Sequence, residues 1–210
     1  MELAPGTWRL AGPIVGLAAV GLLLIPPIGV GLAVLAGFVL WFHRDPDRTS
    51  PPAGVLAPAD GTVSVIRTET DGAWTDDPAS EIERVRVGVF MNVTDVHVNR
   101  APVGGEIGTI EHVPGGHWPA FSKDAERNER LHVAIGDTRV TLIAGTIARR
   151  IHPHVEPGEA VERGERIGHV SFGSRADVLL PERFEPADLG VEAGETVRAG
   201  ESIIAVDPGR

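Results

Sequence analysis

Three groups of residues in this 210-residue chain carry side chains that could do chemistry. The first is Gly173-Ser174, set between two strand-like stretches, Ile167 to Phe172 and Ala176 to Leu180. A glycine ahead of a serine leaves the shared carbonyl sterically open and its backbone free to take strained angles, so the Ser174 hydroxyl could attack it. The same dipeptide is also a common turn, and alone it decides nothing. The second group runs from Met91 to Pro102 and centres on His97. Alternation along Val96, His97 and Val98 sets His97 on the face opposite the valines, with Asp95 and Asn99 on its own side. A strand histidine beside acids can act as a base, or can simply be a solvated or hydrogen-bonded side chain. The third group is Ile151-His-Pro-His154, with His112 and His117 upstream. Two imidazoles on one face of an extended segment can bind zinc, although the proline between them argues against a regular strand.

Composition narrows the chemistry. The chain has no cysteine, which excludes disulfide scaffolds, thiolate nucleophiles, iron–sulfur clusters and Cys-based zinc sites. Lys and Arg total 19 against 29 Asp and Glu, a net charge of −10, and Lys123 is the only lysine. That balance argues against a nucleic-acid groove, which needs clustered cations for phosphate. Acidic excess with arginine in place of lysine fits a surface tuned for high salt, and GC-rich coding would give the same arginine bias. Catalysis must then come from Ser, His, Asp and Glu, or from a cofactor the chain makes itself.

The elements that position these residues read as mainly β. Val85 to Phe90, Arg139 to Ile143 and Ile203 to Val206 are short, β-branched and separated by Gly or Pro clusters. An internal repeat sharpens this: Val155 to Val170 aligns with Val191 to Val206, sharing Val, Glu, Gly and Ile at fixed offsets. Each copy predicts a tight turn, a short strand, a second glycine turn and another strand, and Pro58 to Val63 has the same look. The spacing resembles that of lipoyl- and biotinyl-type barrels, whose hairpin tip carries a modifiable lysine. Neither copy holds a lysine, so the architecture is expected without the carrier role.

Ahead of this β region lies a different material. From Leu10 to Phe42 no residue is charged, and as one helix the run would reach about 50 Å, beyond a hydrocarbon core of about 30 Å. Pro26 and Pro27 break it in the middle. The expectation is a hydrophobic helical hairpin with arms Leu10 to Ile25 and Ile28 to Phe42; a single tilted span is the competing reading. Arg9, His43, Arg44 and Arg48 flank it and would set both ends at the cytoplasmic face of the cell membrane. A cleaved signal peptide fits poorly, because the run is long and no basic segment precedes it. Residues 1–48 are thus expected to be membrane-associated, and 49–210 to form a β-rich catalytic domain.

Taken in order, the motifs resemble those of the phosphatidylserine decarboxylase family, in its short prokaryotic form and its archaetidylserine-type relatives. The resemblance runs from Phe42-His-Arg-Asp-Pro-Asp-Arg48 through Ala57-Pro-Ala-Asp-Gly61, Asp95-Val-His-Val-Asn-Arg-Ala-Pro102 and Asn128-Glu-Arg130. It continues through Ala144-Gly-Thr-Ile-Ala-Arg-Arg-Ile151 and Gly164-Glu-Arg-Ile-Gly168 to Phe172-Gly-Ser-Arg175. It covers nearly the whole chain.

The resemblance implies a proenzyme that cleaves itself between Gly173 and Ser174, giving a β chain of 1–173 and an α chain of 174–210 headed by a pyruvoyl group made from Ser174. That group would form a Schiff base with the amine of a serine-headed phospholipid and accept the electrons released as CO2 departs. It implies His97 as the base for Ser174 or the acid that reprotonates the intermediate, and Asp60, in the matching Asp-Gly motif, as the group that orients it. The His97 motif departs from the Tyr-His-Arg-x-His-x-Pro of long-form enzymes, and Phe-Gly-Ser-Arg departs from their Leu-Gly-Ser-Thr. Arg175 is a candidate contact for the substrate carboxylate or phosphate, or else an ordinary surface arginine. Pro114 to Arg130 is a candidate lid, with His117 and Lys123 near phosphate, or else a solvated loop. The implied partners are the lipid, the membrane and the α/β chain pair, with higher oligomers open. Two other classes remain in view: an anchored barrel that only binds partners, and a zinc hydrolase using His152, His154 and a further His or Asp.

Overall fold

The computed structural model describes residues 2–70, 82–120, 122–146, 151–170, 173–207 and 209, and of Lys123 and Asp124 the backbone only. The chain divides into two compact units, Met1–Asp47 and Arg48–Arg210.

The first unit is a helical hairpin. Strand β1 (Glu2–Leu3) leads into helix α1 (Thr7–Leu24), a break at Ile25, helix α2 (Pro26–Phe42) and strand β2 (Arg44–Asp45). Pro26 and Pro27 open α2, the one part of a helix where a missing N–H is harmless, so they end one helix and start the next. Both helices begin a few residues ahead of the uncharged arms, and α1 carries Arg9. β1 pairs antiparallel with β2, Leu3 opposite Arg44, so the two ends of the hairpin meet. Near the bend, a Cβ on Gly21 or Gly29 would strike backbone of the other helix, the close approach that small residues permit. Ala11, Ala18, Ala36, Val39 and Phe42 are buried, whereas Leu17, Leu23, Leu24 and Val34 are exposed, Leu23 by 85%. At about 1.5 Å per residue the helices are roughly 27 and 26 Å long, and α1 is long and apolar enough to cross a membrane.

The second unit is almost entirely β. Its strands are β3 (Val55–Leu56), β4 (Gly61–Thr70), β5 (Glu83–Met91), β6 (Val98–Arg100), β7 (Gly105–Val113), β8 (Arg130–Ile135) and β9 (Thr138–Ile143). They continue with β10 (Ile151–Pro153), β11 (Ala160–Val161), β12 (Arg166–Val170), β13 (Ser174–Leu179), β14 (Thr196–Val197) and β15 (Ile203–Ala205). Eight form one sheet in the order β11-β7-β8-β9-β13-β5-β4-β14, every neighbour antiparallel. A three-stranded sheet, β10-β12-β6, and the pair β15-β3 complete the unit. Val85, Val87, Val89, Val133, Val140, Leu142, Ala176 and Val178 alternate along the central strands and build the core from one face of the large sheet. The opposite face carries Arg86, His132, Thr141, Arg175 and Asp177, all nearly buried as well.

The repeat is realised as two matching sets of turns. Gly158 and Gly194 have φ of 87° and 93°, Gly164 and Gly200 of 84° and 72°, values open to glycine without strain. The amides of Gly158 and Gly194 donate to Ile107 and Val63, those of Gly164 and Gly200 to Ala101 and Ala57. The short strands between the turns, β11 and β14, are the two edges of the eight-stranded sheet.

Candidate active site

Ser174 is the first residue of β13, inside the strand and not in a turn ahead of it. It lies opposite Met91 of β5 and shares a face with Ala176 and Val178, which places its hydroxyl on the core side, fully buried. A buried hydroxyl needs a partner. Ser174 Oγ donates to the carbonyl of Val170 at 3.3 Å and touches Met91 Sδ at 3.9 Å. Gly173, just before it, has φ +64°, a backbone state that a side chain would make costly. Phe172 and residues 147–150 of the sequence motifs lie outside the described residues.

Val170 joins this serine to the histidine segment: its amide donates to His97 O at 3.3 Å. The imidazole of His97 is 3% exposed, and Nδ1 lies 3.0 Å from the carbonyl of Asp95. A carbonyl can only accept, so Nδ1 carries the hydrogen and Nε2 is left as the basic nitrogen. Val96, His97 and Val98 are all buried, so alternation does not separate a wet from a dry side here as the pattern alone predicts. Asn99, fully buried, donates to Met91 Sδ at 3.6 Å, which closes a ring of neighbours around Ser174.

Asp60 sits one step back. Its Oδ1 accepts from the Ala199 amide at 2.8 Å and its Oδ2 from Arg48 at 2.8 Å, while Arg48 also binds Glu201. Both carboxylate oxygens are therefore engaged by groups other than His97. Burial pushes the Asp60 carboxyl above its ordinary range, with the charge of Asp95 adding to this, against the pull of the Ala199 amide and Arg48.

Arg175 faces away from Ser174, as successive strand residues must. It is 4% exposed, and its guanidinium donates to both oxygens of Asp177, at 2.8 and 3.0 Å, and to Ala120 O at 3.2 Å. Asp177 is also bound by Arg86, which reaches Glu69 at 3.1 Å. Arg175 is thus a buried residue held by Asp177 and Ala120, not a surface arginine. Beside this network His132 is held by Thr141 Oγ1 at 2.9 Å, and burial with the charges of Arg130, Arg139 and Arg86 lowers its pKa to about 3.

The stretch after Pro114 is tied to Ala144, just past β9, through one buried amide. Asn128 Oδ1 accepts from Trp118 N at 2.7 Å, and Nδ2 donates to Trp118 O and Ala144 O at 2.6 and 2.7 Å. His117 is exposed, Trp118 is 54% exposed, and the side chain of Lys123 lies outside the described set. The histidine pair gains a member that spacing does not reveal. His152 stacks on His169 at 4.6 Å and His154 Nε2 lies 2.9 Å from His169 Nδ1, because β10 pairs with β12. His112 is bound to Glu129 instead, and no group of three His, Cys, Asp or Glu among the described residues is spaced to hold a metal ion.

The family model described as phosphatidylserine decarboxylase matches residues 35–205, which include Asp60, His97, Gly173 and Ser174. A Halobacterium salinarum protein named as an archaetidylserine decarboxylase proenzyme is 56% identical over 203 residues, 96% of this chain and 97% of that one. A Streptomyces coelicolor phosphatidylserine decarboxylase proenzyme is 42% identical over 217 residues, covering 99% and 93%. A Methanosarcina mazei protein named as an archaetidylserine decarboxylase proenzyme is 44% identical over 182 residues, covering 84% and 78%.

Proposed function

Since the chain belongs to the phosphatidylserine decarboxylase family, we propose that it cuts itself between Gly173 and Ser174 and then releases the carboxyl group of a serine-headed phospholipid as CO2. The lipid is phosphatidylserine or its archaeal counterpart archaetidylserine, and the product carries an ethanolamine head. The observation that carries this reading is Ser174 itself: buried, preceded by a glycine at φ +64°, its hydroxyl already tied to the Val170 carbonyl.

Self-cleavage begins when Ser174 Oγ attacks the Gly173 carbonyl carbon. The C–N bond breaks, the hydroxyl proton passes to the freed amine, and an ester remains. Removal of the Ser174 α-proton then breaks its Cβ–Oγ bond, so the oxygen leaves with Gly173 as a carboxylate. Water replaces the nitrogen, ammonia departs, and residues 174–210 begin with pyruvoyl. His97 Nε2 is the base for these proton transfers, with Nδ1 locked on Asp95 O. Asp60 acts from behind, holding Arg48 and the Ala199 turn beside the His97 segment.

The residues around position 174 fit such a group, for Met91, Val170 and Ala176 line it with buried apolar side chains. The pyruvoyl supplies a carbonyl for the substrate amine and a sink for the electrons left as CO2 departs. After the cut, β13 stays hydrogen-bonded between β5 and β9, so the α chain remains in its sheet. His117 and Lys123 meet the lipid phosphate from the lid, and Arg175 fixes the new N-terminus through Asp177 in place of binding substrate. Residues 1–48 hold the catalytic unit, 49–210, at the cytoplasmic face of the membrane. The repeat's kinship with lipoyl-type barrels rests on its paired turns alone.

Release of labelled CO2 from vesicles of carboxyl-labelled phosphatidylserine or archaetidylserine tests the activity. The expected release is abolished by hydroxylamine and indifferent to chelator; loss with chelator would favour a zinc enzyme.

A further inference from the structure

We propose that Gly145 is a positioning residue for self-cleavage, the seat against which the Gly173 carbonyl is held; this rests on the self-cleavage reading above. Gly145 lies two residues beyond the end of β9, and its φ lies outside the left-handed region that favours glycine. Space is what demands glycine. A Cβ there would overlap the Gly173 carbonyl oxygen and stand 2.8 Å from its carbon, the atom that Ser174 Oγ must reach. Ala120 Cβ, 3.5 Å from the same point, closes the other side.

The seat cannot retreat. Ala144 is fully buried, its amide donates to Glu129 O at 3.0 Å, and its carbonyl accepts from the Asn128 clamp. Arg175 holds Ala120 O from the α-chain side. The scissile carbonyl is therefore pinned between two elements that are themselves tied down. A methyl carbon and a carbonyl oxygen need about 3.3 Å, so an alanine at 145 would drive the carbonyl out of line with the hydroxyl. A misplacement of about 1 Å can slow a reaction roughly 100-fold.

The test is Gly145→Ala in the full chain, with cleavage followed by intact mass, beside the same change in a Ser174→Ala background. The expected result is at least about 100-fold slower cleavage, no ester that hydroxylamine can cut, and a retained cooperative unfolding transition in the double variant. Cleavage within threefold of the parent would overturn the proposal, as would accumulation of a hydroxylamine-sensitive ester, since attack would then have occurred. Loss of folding in the double variant would also overturn it, by making Gly145 a packing residue only. If the parent chain itself stays whole, the self-cleavage reading fails instead, so the two failures are distinct.

Discussion

Ser174 and His97 meet on one residue: the serine hydroxyl donates to the carbonyl of Val170, and the amide of Val170 donates to the carbonyl of His97. Val170 ends β12, in the three-stranded sheet, and Ser174 begins β13, in the middle of the large one. The candidate nucleophile thus sits where the chain passes between two sheets, with a stiff neighbour on either side. Such a junction can hold a peptide bond under local constraint while the flanking ladders keep their registers.

Replacing His97 by alanine is expected to slow cleavage by about 10² to 10⁴, the range for a lost general base. Asp60→Asn is expected to act less, because Asp60 touches Arg48 and Ala199 and not the serine. The half-time of the intact chain, measured by mass after synthesis, reads both. An unchanged half-time in His97→Ala would move the base elsewhere.

The buried Asp177 lies between Arg86 and Arg175. Asp177→Asn leaves two guanidinium groups short of a counter-charge, which for a buried pair costs about 3 to 5 kcal/mol. Denaturant unfolding of the Ser174→Ala chain with and without this change should show that loss. A difference below about 1 kcal/mol, the range of an exposed ion pair, would contradict it.

His132 gives the stability a pH dependence. Unfolded, it binds a proton as pH falls below about 6.5; folded, it resists until about 3. The unfolded chain therefore gains more from acid, and this contribution to stability is lost progressively from about pH 6.5 down to 3, with none lost above. His132→Asn, which can keep the bond to Thr141, should flatten the acid limb of a stability-against-pH curve. An unaltered slope would mean that His132 is not the group responsible.

Much of this was legible in the residues. The stretches Val85 to Phe90 and Arg139 to Ile143 lie within β5 and β9, since β-branched runs between glycine turns have few alternatives. The double proline ends one helix and starts the next as its chemistry requires. What local pattern could not supply is register. That Ser174 faces the core and Arg175 the buried charge network follows only once β13 is known to begin at 174. His169 joins His152 through cross-strand pairing, and Gly145 meets Gly173 across 28 positions of chain; neither leaves a trace in spacing. Asn128 and Ala144-Gly145 lie in family-like motifs, but their roles depend on tertiary contacts that spacing does not show.

The hairpin makes its own prediction. Leu23, Leu24 and Val34 present apolar side chains outward, and a surface of that kind is stable against lipid and not against water. Changing all three to asparagine should shift the chain from the membrane pellet to the alkaline-carbonate supernatant. Retention in the pellet would assign membrane binding to some other surface.

Intact-mass spectrometry of the purified chain under denaturing conditions, beside Ser174→Ala, decides whether the chain cuts itself at Ser174. Two fragments meeting at Gly173 and Ser174 are expected, the smaller blocked to Edman chemistry and lighter than its serine-started sequence by one ammonia, with the Ser174→Ala chain whole. A single full-length mass for the parent chain, unchanged after incubation with membranes in high salt, would contradict it.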